Sequence, residues 1–270
     1  MAAGRAPPSL SRTGAVSDEA IAPDRSERIT FCLVHPESPG NVGAAARALK
    51  NMGFSRLALV SPTDPRGEES IRMAYRSREL LDQAAHFPDL DAALAEAHWV
   101  VGLTGREPKK QRRSHTSIEA LAPEIWRRAE DQKILLLFGS EGTGLNNEIL
   151  ARCHRTAFIP TGPSFSSLNL AQAVLLTAAA LLRTAPADAG PKEKNARRAL
   201  LPVGALEPLF EEMEEALREI GFLKPPADKK MVRMLRTLWL RAEMDLEEAK
   251  ILRAMFREVR QASRRKAPER

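Results

Sequence analysis

Two cysteines, Cys32 and Cys153, are all the thiols in the 270 residues. They form no CxxC pair and no zinc-ligand spacing, which excludes a disulfide framework or a zinc module as the basis of the fold. They read as reduced thiols in a reducing compartment. No apolar run reaches the roughly 20 residues that cross a bilayer. The opening stretch MAAGRAPPSLSRTGAVSDEAIAPDRSER has no hydrophobic segment, so it is not a secretory signal. Asp18, Glu19, Asp24 and Glu27 within it argue against an organelle transit peptide. Residues 1–27 are expected to be a disordered extension, and the protein is expected in the cytoplasm. His35, His86, His98, His115 and His154 form no ligand cluster, so no metal is expected. Internal repeats and the dinucleotide motif GxGxxG are also missing.

What is present reads as an ordinary globular protein. The hydrophobic fraction of 43% and charged fraction of 28% suit one α/β domain plus a small satellite. A formal net charge of +6 favours a partner that carries phosphate, nucleic acid first; the same charge also serves simple solubility.

Five apolar runs predict buried strands: ITFCLVH near residue 30, then 57–60, 98–105, 133–139 and 156–160. Helical stretches separate them around 67–83, 89–97, 117–130 and 168–183. That alternation predicts a parallel sheet covered on both faces, and runs such as KILLLF lack the polar alternation of a half-exposed strand. Residues 185–200 are Pro-, Ala- and charge-rich and read as a linker. Beyond them the pattern is helical. Leu206, Leu209, Phe210, Met213, Leu217 and Ile220 make one stripe, closed by Gly221. Met231, Met234, Leu235, Leu238 and Trp239 make a second. Asp245 with Glu248 reads as a capping box ahead of a third helix whose core face is Leu252, Phe256 and Val259. The expected units are a domain over 28–184, a helical extension over 201–264 and a tail over 265–270.

Three segments carry candidate chemistry. In PGNVGAAARALK (39–50), Asn41 reads as an N-cap beside free helix N–H groups, which suit an anion, and Gly53 as the C-cap. Gly43 and the following alanines let backbone or ligand come close. Arg47, about one and a half turns on, is placed to reach a phosphate or ribose at the helix start, although an Ala-rich core helix with a solvent-facing Arg has the same pattern. In LLLFGSEGTGLNNEI (135–149), a buried strand runs into Gly139, Gly142 and Gly144, a loop whose backbone can recognise an adenosyl group. Glu141 in that loop is read as a hydrogen-bonding wall residue and not as a titrating acid. In FIPTGPSFSSLNLAQAVLLTAAALLR (158–183), a small polar loop precedes a helix apolar on all sides, which predicts burial against its own sheet and against a partner subunit. Ser166, Ser167 and Asn169 supply short polar groups at its start.

Together these segments resemble the three motifs of the SpoU/TrmH family of SPOUT (alpha/beta-knot) methyltransferases. The matching residues are Asn41-Val-Gly43-Ala-Ala-Ala-Arg47, then Phe138-Gly139-Ser140-Glu141-Gly-Thr-Gly144-Leu145, then Ile159-Pro160 with Ser167-Leu168-Asn169. The tail, with Gly-Phe-Leu at 221–223 and the run 231–253, is similar to that of the family's tRNA (cytidine/uridine-2′-O) branch. The resemblance implies an α/β fold with a parallel sheet and a C-terminal trefoil knot, which topology rules alone would reject. It implies a homodimer with S-adenosyl-L-methionine bound by Leu103, Thr104, Gly139, Ser140, Glu141, Gly144, Ile159 and Leu168. It implies 2′-O-methylation of a tRNA ribose, at position 32 of the anticodon loop, with Arg47, Asn41, Glu141, Ser167 and Asn169 as the catalytic set. A guanidinium resists deprotonation, so Arg47 is read as a phosphate anchor and alkoxide stabiliser, and the proton acceptor stays open.

Beside such a core, the loop 105–115 with Lys109, Lys110, Arg112 and Arg113 reads as a phosphate contact. Lys229, Arg233 and Arg236 read as one tRNA-docking face of the second tail helix, opposite its Met/Leu/Trp stripe. The alternatives are a ribosomal-RNA enzyme of the same family and a catalytically idle RNA-binding module; the intact Asn41, Arg47, Glu141 and Asn169 speak against the latter.

Overall fold

The computed structural model describes residues 23–60, 67–105, 115–162, 167–186, 200–226 and 228–266. The loop cations Lys109, Lys110, Arg112 and Arg113, Ser166, and nearly all of the linker lie outside the described residues.

A short turn α1 (Pro23–Ser26) leads into β1 (Ile29–Val34) and α2 (Pro39–Asn51). Then come β2 (Leu57–Val60), α3 (Glu68–Ala74), a 3-10 turn (Tyr75–Ser77), α4 (Arg78–Asp82), β3 (Ala85–Phe87), α5 (Leu90–Leu94) and β4 (Trp99–Thr104). The chain continues through β5 (His115–Ser117), α6 (Ile118–Arg128), β6 (Ile134–Phe138), α7 (Asn147–Leu150), β7 (Arg155–Phe158) and α8 (Leu170–Arg183). It ends in α9 (Val203–Glu219), α10 (Asp228–Ala242) and α11 (Leu246–Lys266).

Among the described residues seven strands form one sheet, in the order β3-β2-β1-β6-β4-β7-β5, and each described pair is parallel. The five strands expected from apolar runs are its centre. The two unexpected ones, β3 and β5, are three-residue edge strands, too short to give a pattern. Alternate residues of the inner strands serve opposite faces. Ile29, Phe31 and Leu33 pack with α2, α6 and α8. Cys32 and Val34 pack with α5 and α7. Every residue of β2 and β6 is buried, which explains their unbroken apolar sequence.

The second face is completed by the tail. Val203, at the start of α9, is buried there and donates its N–H to Ala97 O at 2.8 Å. A Cβ on Gly204 would press into the Ala95 backbone, so this end of α9 seats directly on the end of α5. Buried Arg128 lies 4.3 Å from the Trp99 ring centroid and pairs with Glu124 and with Glu243 after α10. The helical extension is therefore docked on the sheet while keeping its own core of Leu206, Leu209, Phe210, Met213, Leu240 and Phe256.

Several expectations are corrected. Residues 23–26 form a helical turn, with Arg25 paired to Glu130 at 3.1 Å, so order begins before residue 28. The N-cap of α2 is Ser38, which accepts from Asn41 N, with Pro39 at the first helical position. Asn41 is thus inside the first turn and its side chain is free for other work. Gly53, at φ +77°, closes α2 just beyond Met52 as expected. Ile220, just past the end of α9, is exposed, and so are Met231, Met234 and Leu238, because α10 buries Val232 and Leu240 instead. Gly221 takes φ +74° at the end of α9, and the Asp245/Glu248 capping box forms in both directions.

Gly43 is explained by backbone packing. A Cβ there would fall inside the contact distance of the Ser70 carbonyl on α3. Both groups are main chain, so neither can swing aside. Gly43→Ala is expected to cost about 1–3 kcal/mol, lowering the thermal midpoint by at least about 2 °C, measured by calorimetry.

Candidate active site

The carboxyl ends of β4, β6 and β7 open onto a cleft of about 1240 Å³. This is where open α/β sheets bind ligands, because the loops leaving neighbouring strands diverge there. The tight loop after β6 forms one wall. Gly139 packs so closely on Gly144 and Leu145 that no Cβ would fit, while Gly144 takes φ +66° and faces open space. Ser140 and Gly144 close the loop, with Gly144 N donating to Ser140 O at 2.9 Å. Apolar Leu103, Leu145, Ile159 and Leu168 line the cleft, with polar Thr104, Ser140, Glu141 and Ser167. All eight residues expected around a cofactor are on this wall.

Glu141 joins the three motif segments. Its Oε1 accepts from Asn41 Nδ2 at 2.5 Å and from Ser38 N at 3.2 Å; its Oε2 accepts from Glu37 N at 2.8 Å. Glu37 answers by accepting Gly142 N at 3.2 Å. Asn41 Oδ1 in turn accepts from Asn169 Nδ2 at 2.9 Å. Asn169 caps α8, its Oδ1 accepting from Ala171 N at 2.9 Å while its own N–H donates to Gln172 Oε1 at 3.2 Å. Partial burial pushes the Glu141 carboxyl up, but the donors from Asn41, Glu37 and Ser38 outweigh it and hold it below the usual carboxylate range. Glu141 is thus an ionised strut, in line with the reading of it as a wall residue.

Arg47 stands apart. It is exposed on α2, 5.5 Å from the centroid of the exposed Tyr75 ring, and it does not line the cleft. Six residues separate it from Asn41, about 600° of helical rotation and ~9 Å of rise, so the two side chains do not share a face. The expectation that it reaches a group held at the helix start is not met within one chain. Tyr75 is a non-glycine residue at φ +54°, held beneath Arg47 and Arg76.

The tail helix α10 forms the opposite wall through Lys230, Arg233, Met234, Thr237 and Arg241. Only Arg233 of the expected tail cations is there. Arg236 faces the bundle, 2.9 Å from Glu207 and 4.8 Å from the Phe210 ring centroid, because the α9 carboxylates draw it inward. Lys229 is exposed beside the cleft-lining row and outside it. Sequence reasoning missed Glu37, Ser38, Lys230 and Arg241. The Ser38-Pro39 pair was a readable helix-start signal; the other three act through tertiary contacts.

A family model for the SpoU rRNA Methylase family matches residues 28–179. The chain belongs to the SpoU methylase family. A second model, the C-terminal domain of the tRNA methyltransferase TrmJ, matches residues 204–268. The chain is 32% identical over 246 residues to the tRNA (cytidine/uridine/adenosine-2′-O-)-methyltransferase TrmJ of Pseudomonas aeruginosa, covering 88% of this chain and 96% of that protein. It is 33% identical over 241 residues to the tRNA (cytidine/uridine-2′-O-)-methyltransferase TrmJ of Pectobacterium atrosepticum, covering 86% and 97%. The crystal structure of TrmJ from Z. mobilis superposes with a TM-score of 0.74 at 29% identity, over 85% of this chain and 98% of that one. The alpha/beta-knot fold class expected from the SpoU motifs is thereby borne out. Among the described residues, no helix is long and apolar enough to cross a membrane, and no group of His, Cys, Asp or Glu is arranged to hold a metal.

The strut has a pH signature. Because the folded-state pKa of Glu141 is depressed, its stabilisation is complete above the ordinary value of 4.5 and is lost as pH falls through the lower folded value. Between about pH 6 and about pH 3, urea unfolding of the parent should lose stability more steeply than Glu141→Gln. Parallel profiles would show that the carboxylate carries no such load. At pH 7, Glu141→Gln should be less stable by about 1–3 kcal/mol, because the Ser38 and Glu37 N–H groups lose an anionic acceptor.

Proposed function

We infer that this protein transfers a methyl group from S-adenosyl-L-methionine to the 2′-oxygen of a tRNA ribose, at a cytidine or uridine in position 32 of the anticodon loop. The observation that carries this is the cleft at the strand ends, built by the second and third SpoU motifs and walled by a helix of the TrmJ-type tail. The tRNA 2′-O-methyltransferases named TrmJ match this chain at 32–33% identity over 96–97% of their own length, which favours tRNA over ribosomal RNA.

The residues fit the cofactor. Leu103, Leu145, Ile159 and Leu168 offer apolar walls to an adenine, and Gly139, Ser140 and Gly144 bring main chain to the cleft surface. Gly144 leaves room where any side chain would intrude. The cleft exceeds the ~300–1,000 Å³ of ordinary small-molecule sites, which leaves space for a nucleotide beside the cofactor. When bound, adenosylmethionine supplies an activated methyl group.

What the chain must add is orientation of the ribose hydroxyl and help in losing its proton. Ser167 lies on the cleft wall to hold the sugar. Asn41, Glu141 and Asn169 act as positioning residues, since their polar atoms are engaged with one another and with the helix ends. Arg47 anchors the neighbouring phosphate and stabilises developing negative charge on the 2′-oxygen. Because it stands outside its own chain's cleft, this role calls for a second copy. Leu176 on α8 is a large apolar side chain left 42% exposed, which supports a homodimer through that face. The unit 28–184 carries the chemistry, and 201–264 adds RNA contacts.

The test is transfer of labelled methyl from adenosylmethionine to bulk tRNA, with the modified nucleotide mapped. A 2′-O-methylated pyrimidine at position 32 is the expected product; label on a base, or only on ribosomal RNA, would overturn the reading. Arg47→Ala should lower kcat by about a hundredfold or more while leaving the thermal midpoint and cofactor affinity unchanged. Unchanged turnover would remove Arg47 from the mechanism.

A further inference from the structure

Two rows of α10 do different work. Leu235, Arg236, Trp239 and Leu240 turn to the helical bundle, where Arg236 pairs with Glu207 and Leu235, Trp239 and Leu240 join the core. Lys230, Arg233, Met234, Thr237 and Arg241 follow the i, i+3, i+4, i+7, i+11 spacing of a second stripe, and every one of them lines the cleft. In its middle Thr237 touches the loop after α7: its Oγ1 lies 3.3 Å from Ala151 O and 2.9 Å from Arg233 O of its own helix, and its one proton is shared between them. At one end Arg233 is 3.7 Å from Glu148, a loose and exposed pairing that an incoming anion can replace.

The charge of the cleft is one-sided. Among the described residues that line it, the cations are Lys230, Arg233 and Arg241, all from α10, and the sole carboxylate is Glu141. That carboxylate already accepts from three donors. From 230 to 241 the helix advances about 16 Å, longer than one carboxylate needs and suited to successive phosphates of a strand.

We propose that this stripe of α10 is the RNA-strand side of the cleft: Lys230, Arg233 and Arg241 hold the phosphates next to the nucleotide being modified. The tail thus completes the site of its own chain and is more than a remote docking module. This rests on the function inferred above for its substrate class, and it moves the RNA contact to a different helix face from the Lys229/Arg233/Arg236 set expected from sequence.

The full-length triple variant K230Q/R233Q/R241Q tests it, with Lys250→Gln on α11 as the charge control. Exposed glutamines should leave the thermal midpoint in place. The expected result is a KM for tRNA raised about tenfold or more. In filter-binding with tRNA, the slope of log K against log salt should be shallower by about 2, the value for three lost single-strand phosphate contacts. The affinity for adenosylmethionine by calorimetry and the Lys250→Gln values should match the parent. An unchanged salt slope overturns the proposal. So does weakened cofactor binding with an unchanged KM for tRNA, which would assign the cations to the cofactor's carboxylate. If the parent methylates no RNA yet the slope falls as stated, the inferred reaction fails and the binding stripe stands.

Discussion

One ionised carboxylate holds the candidate site in register. Glu141 sits in the loop after β6, and its acceptors are filled by the start of α2. Through Asn41 the connection reaches Asn169 and the first turn of α8. Charge-assisted hydrogen bonds are short and about twice as strong as neutral ones, so a single anion can fix three chain segments that are up to 128 residues apart. The amide of Asn41 can serve in only one orientation, donating to Glu141 and accepting from Asn169. This gives the motif residues a structural reason to be Asn, Glu and Asn, distinct from contact with a substrate. It also leaves the main chain of the Gly139–Gly144 turn as the surface that faces the cleft.

The rest of the architecture keeps that junction rigid on one side and wet on the other. The sheet face carrying α2, α6 and α8 is a single large core in which Phe31 meets Phe54 edge to face and stacks on Phe138, at 5.1 and 6.0 Å between ring centroids. Trp126 ties α6 to α8 through a 2.8 Å bond to Leu181 O. The opposite face has only short helices of its own and borrows Val203, at the start of α9, from the tail. A cleft framed by one deeply buried element and one docked element has a fixed floor and a wall held by fewer contacts.

The central strands, the helical tail and the motif segments were legible because each repeats one physical signal over several residues: unbroken apolar runs, a 3.6-residue stripe, a capping pair such as Asp245 and Glu248. The edge strands β3 and β5 were not, since three residues carry no period. The orientation of α10 was misread for a related reason. Its apolar residues fall on both sides of the helix, and Met231, Met234 and Leu238 look like core until α9 and α11 are in place and Leu240 is seen to enter the bundle core while those three stay exposed. Arg236 was likewise read as surface because sequence does not reveal that Glu207 and Glu214 of α9 will face it. The same limit applied to Arg47, whose helix rotation was computable but whose neighbours Tyr75 and Arg76 arrive from a later turn.

The sheet order has a consequence for biosynthesis. Among the described strands β1 is made first, yet one of its two neighbours, β6, pairs Phe31 with Leu136, about a hundred residues later. At ~5–20 residues per second, the ribosome delivers that partner roughly 5–20 s after β1. During that interval β2 can cover one edge of β1, while the other presents unsatisfied peptide groups and Phe31 and Leu33 lack the core that will enclose them. The nascent chain therefore carries an unpaired edge of β1 until β6 emerges, a window in which that edge can pair with the wrong strand.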